Sequence, residues 1–113
     1  MAISKENREF IDSLVDYYIS ESESYKQIAE NFVPEIESVS DTAFGIITGC
    51  VYSGFLQAYQ NQHQTPGLED MHEFNKIIKE RAPLIKKSIL SPRLENIEKE
   101  SDHKVDDFTQ NKV

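Results

Sequence analysis

A chain of 113 residues has the length of one small domain, and its composition, 38% hydrophobic and 28% charged, is that of a globular protein. Its net charge of −8 argues against binding to nucleic acid or anionic lipid, since both require positive potential. The single cysteine excludes an internal disulfide, and the start MAISKENREF lacks the apolar run of a signal peptide, so we expect a cytoplasmic protein.

The first predicted element is a long amphipathic helix over residues 4–32. Its apolar positions recur at helical spacing on one side: Phe10, Ile11, Leu14, Val15, Tyr18, Tyr25, Ala29 and Phe32. This phase persists through the polar stretch at 19–24, which favours a continuous helix. The alternative is a break there, with Ser20 and Glu23 forming a capping box. Pro34 should end or kink the helix, because proline lacks an amide hydrogen.

The second predicted helix, residues 41–62 with Ser40 as N-cap, contains a long uncharged stretch. This stretch is 14 residues long, from Ala43 to Leu56. A membrane span needs about 20 residues, so we predict no membrane insertion. A helix that is apolar on nearly all sides is normally covered on all sides. We therefore expect this helix to lie at the centre of the fold.

Small residues recur every four positions on one side of this second helix, at Gly45, Gly49 and Ser53. A glycine inside a helix costs about 1 kcal/mol relative to alanine, so two on one face require a reason. Close approach of another backbone is the physical reason available. The neighbour is either the first helix or the same helix of a second chain. We predict a homodimer or another helical partner, with an interface of Gly45, Gly49, Ser53 and Leu56.

A third helix is predicted over residues 66–90, with Thr65 as N-cap and a kink near Pro83. A short fourth helix is predicted over 92–101, and the polar residues 101–113 read as a flexible tail. Residues 1–100 then form one domain. Short links between helices favour antiparallel neighbours, so the predicted fold is an all-α, up-and-down bundle of three to four helices.

Basic residues cluster on the third predicted helix, at Lys76, Lys79, Arg81, Lys86 and Lys87. One interpretation is internal complementarity with the acidic first helix. The other is a patch for an anion or an acidic partner. Aromatic residues are absent between Lys76 and Arg93, so the pattern does not support a surface on which nucleic-acid bases stack.

Two groups of side chains are candidates for binding a small ligand. Tyrosines between helices can place hydroxyl groups in a pocket, and the candidates are Tyr18, Tyr25, Cys50 and Tyr52. The second group, His63 and His72 with Glu69 and Glu73, lies around the second turn. We predict no metal site, because the spacing Glu69-x-x-His72 directs Glu69 away from the apolar face. No cofactor and no catalytic residue are predicted.

These patterns predict a small interaction or assembly module that associates with itself through the glycine-containing second helix. The alternative is a helical bundle that binds a small molecule or a metal. No pattern in the sequence indicates enzymatic activity.

Overall fold

The computed structural model describes residues 3–90, which form four α-helices without a strand. The helices are α1 (Lys5–Ser20), α2 (Ser22–Glu30), α3 (Val39–Asn61) and α4 (Leu68–Leu90). The expected all-α bundle is thereby confirmed. The predicted fourth helix at 92–101 and the predicted tail at 101–113 lie outside the described residues.

The first predicted helix is divided in two at Glu21, whose φ of −107° and ψ of 16° depart from helical geometry. The capping box expected in the alternative reading is not formed. The Ser20 hydroxyl instead donates to the Tyr17 carbonyl at 2.6 Å, and α2 begins without a side-chain cap. The buried Ser22 hydroxyl donates to the Ser88 carbonyl of α4 at 3.2 Å. The break therefore lies directly before the residue, Ser22, that contacts the end of α4.

The other helices begin within two residues of the predicted positions, and local hydrogen bonds explain the differences. Helix α3 starts at Val39 because the Ser38 hydroxyl, rather than Ser40, accepts from the Asp41 amide at 3.1 Å. Helix α4 starts at Leu68, since the Asp70 carboxylate accepts from the Gly67 amide at 2.8 Å. Pro83 lies inside α4, which is helical on both sides of it.

The core runs along one side of α3. This side presents a buried residue every fourth position: Ala43, Ile47, Val51, Phe55 and Tyr59. Ile11 and Val15 of α1, Ala29 of α2, and Phe74, Ile77, Ile85 and Ile89 of α4 pack around it. Residues spaced by four form one narrow stripe along a helix. The other three helices all pack against this stripe. Within residues 3–90, helix α3 is therefore covered from one side only.

The neighbours of α3 run antiparallel to it. Asn7, near the start of α1, exchanges amide hydrogen bonds of 2.8 and 3.5 Å with Gln62, just after α3 ends. The Phe55 and Phe74 rings stack with centroids 4.5 Å apart. Lys86, near the end of α4, pairs with Asp41 in the first turn of α3 at 3.6 Å. These contacts establish the expected up-and-down order.

Candidate interaction surface

The side of α3 opposite the core is exposed and carries no charge. We call this surface the glycine face and define it by six exposed residues: Gly45, Gly49, Tyr52, Ser53, Leu56 and Gln60. Tyr52 and Leu56 are large apolar side chains that remain 38% and 36% exposed. The four residues predicted as an interface, Gly45, Gly49, Ser53 and Leu56, all lie on this face.

Neither Gly45 nor Gly49 is packed against another part of the described chain. A Cβ atom built at either residue meets no atom within 4 Å outside its own helix backbone. Close approach of the first helix, one of the two expected neighbours, therefore does not explain these two glycines. The contrast is Gly54, where an added Cβ would lie 2.5 Å from Leu14 Cδ1 of α1. At Gly54, therefore, a side chain would require Leu14 of α1 to move.

A groove between α3 and α4 lies next to the glycine face. We call it the α3–α4 groove, and it encloses about 310 Å³. Its lining is uncharged: Phe44, Gly45, Thr48, Gly49, Tyr52, Phe74, Asn75 and Ile78. The Thr48 hydroxyl donates to the Gly45 carbonyl at 3.2 Å, so this polar group is satisfied within the helix. The groove and the glycine face share Gly45, Gly49 and Tyr52.

A second uncharged groove, between α1 and α3, encloses about 350 Å³. Its lining includes the apolar Phe10 and Ala58 together with Gly54. The other lining residues carry carboxamide groups: Asn7, Gln57, Asn61 and Gln62. Phe10 was expected on the buried side of the first helix, but 42% of it is exposed. It lies at the edge of α1, where the single stripe of Ile11 and Val15 already fills the core. Uncharged grooves thus lie beside α3 on both sides.

By length and composition alone, α3 is also able to cross a membrane, as the core helices of many soluble proteins are. Only 22% of its most apolar stretch is buried within the described residues. A core helix normally buries most of its apolar surface. Much of the apolar surface of α3 is therefore exposed within residues 3–90.

The four ligand candidates divide into two places. The Tyr18 and Tyr25 rings meet edge to face with centroids 5.7 Å apart. Burial raises the pKa of both hydroxyls, and the adjacent Cys50 thiol raises them further. Tyr52 points toward α4 instead, with its ring 5.6 Å from that of Phe74. Tyr18, Tyr25 and Cys50 therefore lie together on the α1–α2 side of α3, and Tyr52 lies apart.

The basic residues predicted to form one patch contact different helices. Arg81 contacts Asp12 and Asp16 of α1, with the Asp12 pair at 3.4 Å. Lys86 pairs with Asp41 of α3, and Lys87 also has an interaction partner. Lys76 lines an open groove between α1 and α4, and Lys79 is exposed. The ion pairs of Arg81 match the internal complementarity that was one of the two interpretations.

The histidine candidates do not form a common site. His72 lines the groove between α1 and α4, which encloses about 590 Å³ and includes Glu69, Glu73 and Arg8. His63 lies in the link after α3 with a φ of 59° and is not part of that lining. Within residues 3–90, no three His, Cys, Asp or Glu side chains converge as metal ligands do.

Sequence reasoning missed the role of Gly54 and the hydrogen-bonded pair of Asn7 and Gln62. The signal for Gly54 was present, because it lies one turn after Cys50 on the side of α3 that turns toward the first helix. The pair joins residues 55 positions apart, and neither belongs to an apolar pattern. Comparison of the chain with protein-family models, with curated proteins and with solved structures gives no match in any of the three.

Proposed function

We propose that this protein is a small helical assembly module whose chains associate with one another through the glycine face of α3. The observation that carries the proposal is the open space at Gly45 and Gly49, where an added Cβ atom would meet no atom of the other described elements within 4 Å. Each glycine costs the helix about 0.5–1 kcal/mol relative to alanine. Nothing within residues 3–90 would exclude an alanine methyl group at either position, so the reason for glycine lies outside those residues.

A second copy of the chain supplies such a reason. Two helices that meet at glycines approach closely and gain backbone contacts that larger side chains prevent. The flanking Tyr52 and Leu56 then cover each other and lose their exposure to water. Burial of apolar area contributes roughly 25 cal/mol per Å², so these side chains add to the stability of the pair.

Charge favours the same surface for self-association. Two chains that each carry a net charge of −8 repel one another at long range. The glycine face has no ionisable group except the partly exposed tyrosine hydroxyl, so contact there desolvates no charge. The acidic surfaces of α1 and α2 would instead place like charges together.

The proposal is tested by native mass spectrometry and sedimentation on the full chain and on Gly49→Leu. We expect the wild-type chain to form dimers and Gly49→Leu to remain a folded monomer, because the leucine side chain prevents close approach. The matched control is Gln27→Leu, which adds the same side chain at an exposed position of α2.

Three outcomes would contradict the proposal. One is a wild-type monomer at every concentration, and another is a monomer that retains the mass of a small molecule. The third is a monomer that instead sediments with neutral lipid vesicles, which would assign the apolar face of α3 to a membrane.

A further inference from the structure

We infer that two chains associate with their α3 helices antiparallel, so that Tyr52 and Leu56 of each chain lie over the glycines of the other. The inference rests on the proposed function, because it specifies how a second copy fits the glycine face. It follows from the order of small and large residues along that face, from the position of those residues on α3, and from the charges at the two ends of the helix.

Small and large side chains are separated along the glycine face. Its central seam consists of Gly45, Gly49, Tyr52 and Leu56, at spacings of four, three and four residues. This alternation of three and four keeps residues in line along a helix that packs lengthwise against another helix. The two glycines come first, the two large residues follow, and all four are exposed. One half of the seam is therefore a depression, and the other half is a ridge.

An antiparallel pair brings the ridge of each chain onto the depression of the other. The point between residues 50 and 51 lies halfway between Gly45 and Leu56, and also halfway between Gly49 and Tyr52. A twofold axis at this point therefore sets Gly45 opposite Leu56 of the second chain and Gly49 opposite its Tyr52. Each layer of the contact then combines one glycine with one large side chain. A twofold pair requires such self-complementarity, because the same surface serves both chains.

A parallel pair lacks this match. It sets each residue against the same residue of the second chain, so glycines meet at one end and Leu56 meets Leu56 at the other. The distance between two helix axes depends on the side chains at the contact, so these axes would have to diverge. The Tyr52 ring packs against the Phe74 ring with centroids 5.6 Å apart, which limits its movement out of the way. A gap at the glycines would lose the contacts that close approach provides.

The register that this match requires also uses the full length of α3. The helix runs from Val39 to Asn61, and its middle residue is Cys50. A twofold axis next to this residue lets the two helices overlap over nearly their whole length, about 34 Å at a rise of 1.5 Å per residue. The antiparallel order also places the N-terminus of each helix near the C-terminus of the other, which favours the opposed helix dipoles.

Charge at the two ends of α3 favours the same orientation. The link before α3 exposes Glu35 and Glu37. The link after α3, residues 62–67, contains no acidic residue. An antiparallel pair places the acidic link of one chain toward the link after α3 in the other. A parallel pair would place the four carboxylates of the two acidic links at the same end, and like charges brought together oppose association.

The orientation is tested by disulfide formation between full-length chains in which Cys50 is replaced by alanine. Chains with Gly45→Cys are mixed with chains with Leu56→Cys and oxidised in a glutathione buffer, and the linked masses are read under denaturing conditions. The antiparallel pair should link the two variants to each other and neither to itself. Like positions then lie about 16 Å apart along the helix axis, whereas a disulfide requires Cα atoms within about 7 Å.

The control is Gln27→Cys in the same background, at an exposed position of α2, and it should form no link. Links within each variant, without links between Gly45→Cys and Leu56→Cys, would overturn the inference and leave the proposed function standing. A wild-type chain that is monomeric at every concentration would remove both.

A second test uses no cysteine at the contact. Gly45→Leu sets a leucine against Leu56 of the second chain, and we expect it to raise the Kd of the dimer about tenfold or more. Adding Leu56→Ala returns one large and one small residue to that layer, and should bring the Kd back to within about threefold of wild type. In a parallel pair, Leu56→Ala would only remove a further contact.

Sedimentation equilibrium of the two variants measures the recovery. The matched control adds Leu84→Ala to Gly45→Leu instead, because Leu84 is an exposed leucine of α4, and it should leave the Kd raised. A double variant of Gly45→Leu with Leu56→Ala that binds no more tightly than Gly45→Leu alone would overturn the antiparallel arrangement.

Discussion

Two glycines in one helix have opposite surroundings, and this contrast is the sharpest feature at the residue scale. A Cβ atom added at Gly54 would lie 2.5 Å from Leu14 Cδ1, so the Leu14 side chain would have to move, whereas Gly49 faces open space. The same helix therefore contains one glycine used for packing within the chain and one that residues 3–90 do not use. Identical substitutions at the two positions should separate these roles.

We expect Gly54→Leu to lower the free energy of unfolding by about 1–3 kcal/mol, because the new side chain overlaps Leu14 and forces the α1–α3 contact apart. Gly49→Leu should leave the free energy of unfolding unchanged or raise it by up to about 1 kcal/mol, since leucine favours the helix. Urea unfolding of both variants as dilute monomers measures the difference. Equal losses at the two positions would show that Gly49 is packed after all.

Tyr59 should make the free energy of unfolding depend on pH in the alkaline range. Burial, followed by the nearby Asp70 carboxylate, raises the pKa of the Tyr59 hydroxyl above its ordinary value, and a hydrogen bond with Asn7 opposes the rise in part. Because the pKa is higher in the folded chain than in the unfolded chain, the unfolded chain loses its proton first. The contribution of the protonated Tyr59 hydroxyl to the stability of the folded chain is fully present below the ordinary pKa of about 10. It is lost as pH rises through the pKa of the folded chain.

We therefore expect Tyr59→Phe to reduce the alkaline decline in unfolding free energy by up to about 1.4 kcal/mol per pH unit. Part of the decline will remain, because burial also raises the pKa of Tyr18 and Tyr25. Urea unfolding between neutral and alkaline pH gives the slope, and Tyr17→Phe, at a ring that is 57% exposed, controls for loss of a hydroxyl. An unchanged slope in Tyr59→Phe would contradict this assignment.

At the scale of elements, ion pairs link the acidic α1 to the basic half of α4. Arg81 contacts both Asp12 and Asp16, and Arg8 pairs with Asp12 at 3.5 Å and with Glu80 at 3.9 Å. The pairs are partly exposed, and ion pairs in such positions contribute about 0–1 kcal/mol each. Their main effect is to favour one relative placement of the two helices.

Arg81→Met retains the apolar part of the side chain and removes its charge, which leaves Asp12 and Asp16 without their shared cation. We expect a loss of about 1 kcal/mol in unfolding free energy at low salt and a smaller loss at high salt. Lys79→Met is the matched control, because Lys79 is exposed and forms no ion pair within the described residues. A loss that does not depend on salt would indicate lost packing instead.

The arrangement of elements was largely predictable, whereas a break near Glu21 was predicted only as the alternative to a continuous helix. Helical spacing of apolar residues predicts α1, α3 and α4, because burial of one face fixes that spacing wherever the helix packs. The same spacing continues through residues 19–24, so the apolar pattern alone does not reveal the break. The hydrogen bond from Ser22 to Ser88, which accompanies the break, joins residues 66 positions apart, so helical spacing does not reveal it.

At the scale of the whole molecule, the apolar surface is distributed unevenly around α3. Three helices cover one side of it, and the opposite side carries exposed apolar and small residues between two uncharged grooves. A continuous apolar surface on a soluble protein commonly marks a site of association. The proposed self-association would cover this surface without placing the acidic surfaces of two chains against each other.

Sequence periodicity predicts that Gly45, Gly49, Ser53 and Leu56 share a face, because residues three and four apart lie together on a helix. Periodicity does not predict whether another helix of the same chain covers that face. An apolar stripe and a stripe of glycines each favour contact with a helix, whether of the same chain or of another. Its exposure depends on where α1 and α4 pack. That position is set by Gly54 against Leu14 and by Phe55 against Phe74, two contacts between distant segments.

The central claim, that chains associate through the glycine face, is tested most directly by sedimentation equilibrium of wild type and Gly49→Leu over a wide range of concentration. We expect wild type to change from monomer to dimer as concentration rises, and Gly49→Leu to remain monomeric with an unfolding free energy at least equal to that of wild type. A wild-type chain that stays monomeric throughout, or a Gly49→Leu chain that dimerises as wild type does, would contradict the claim.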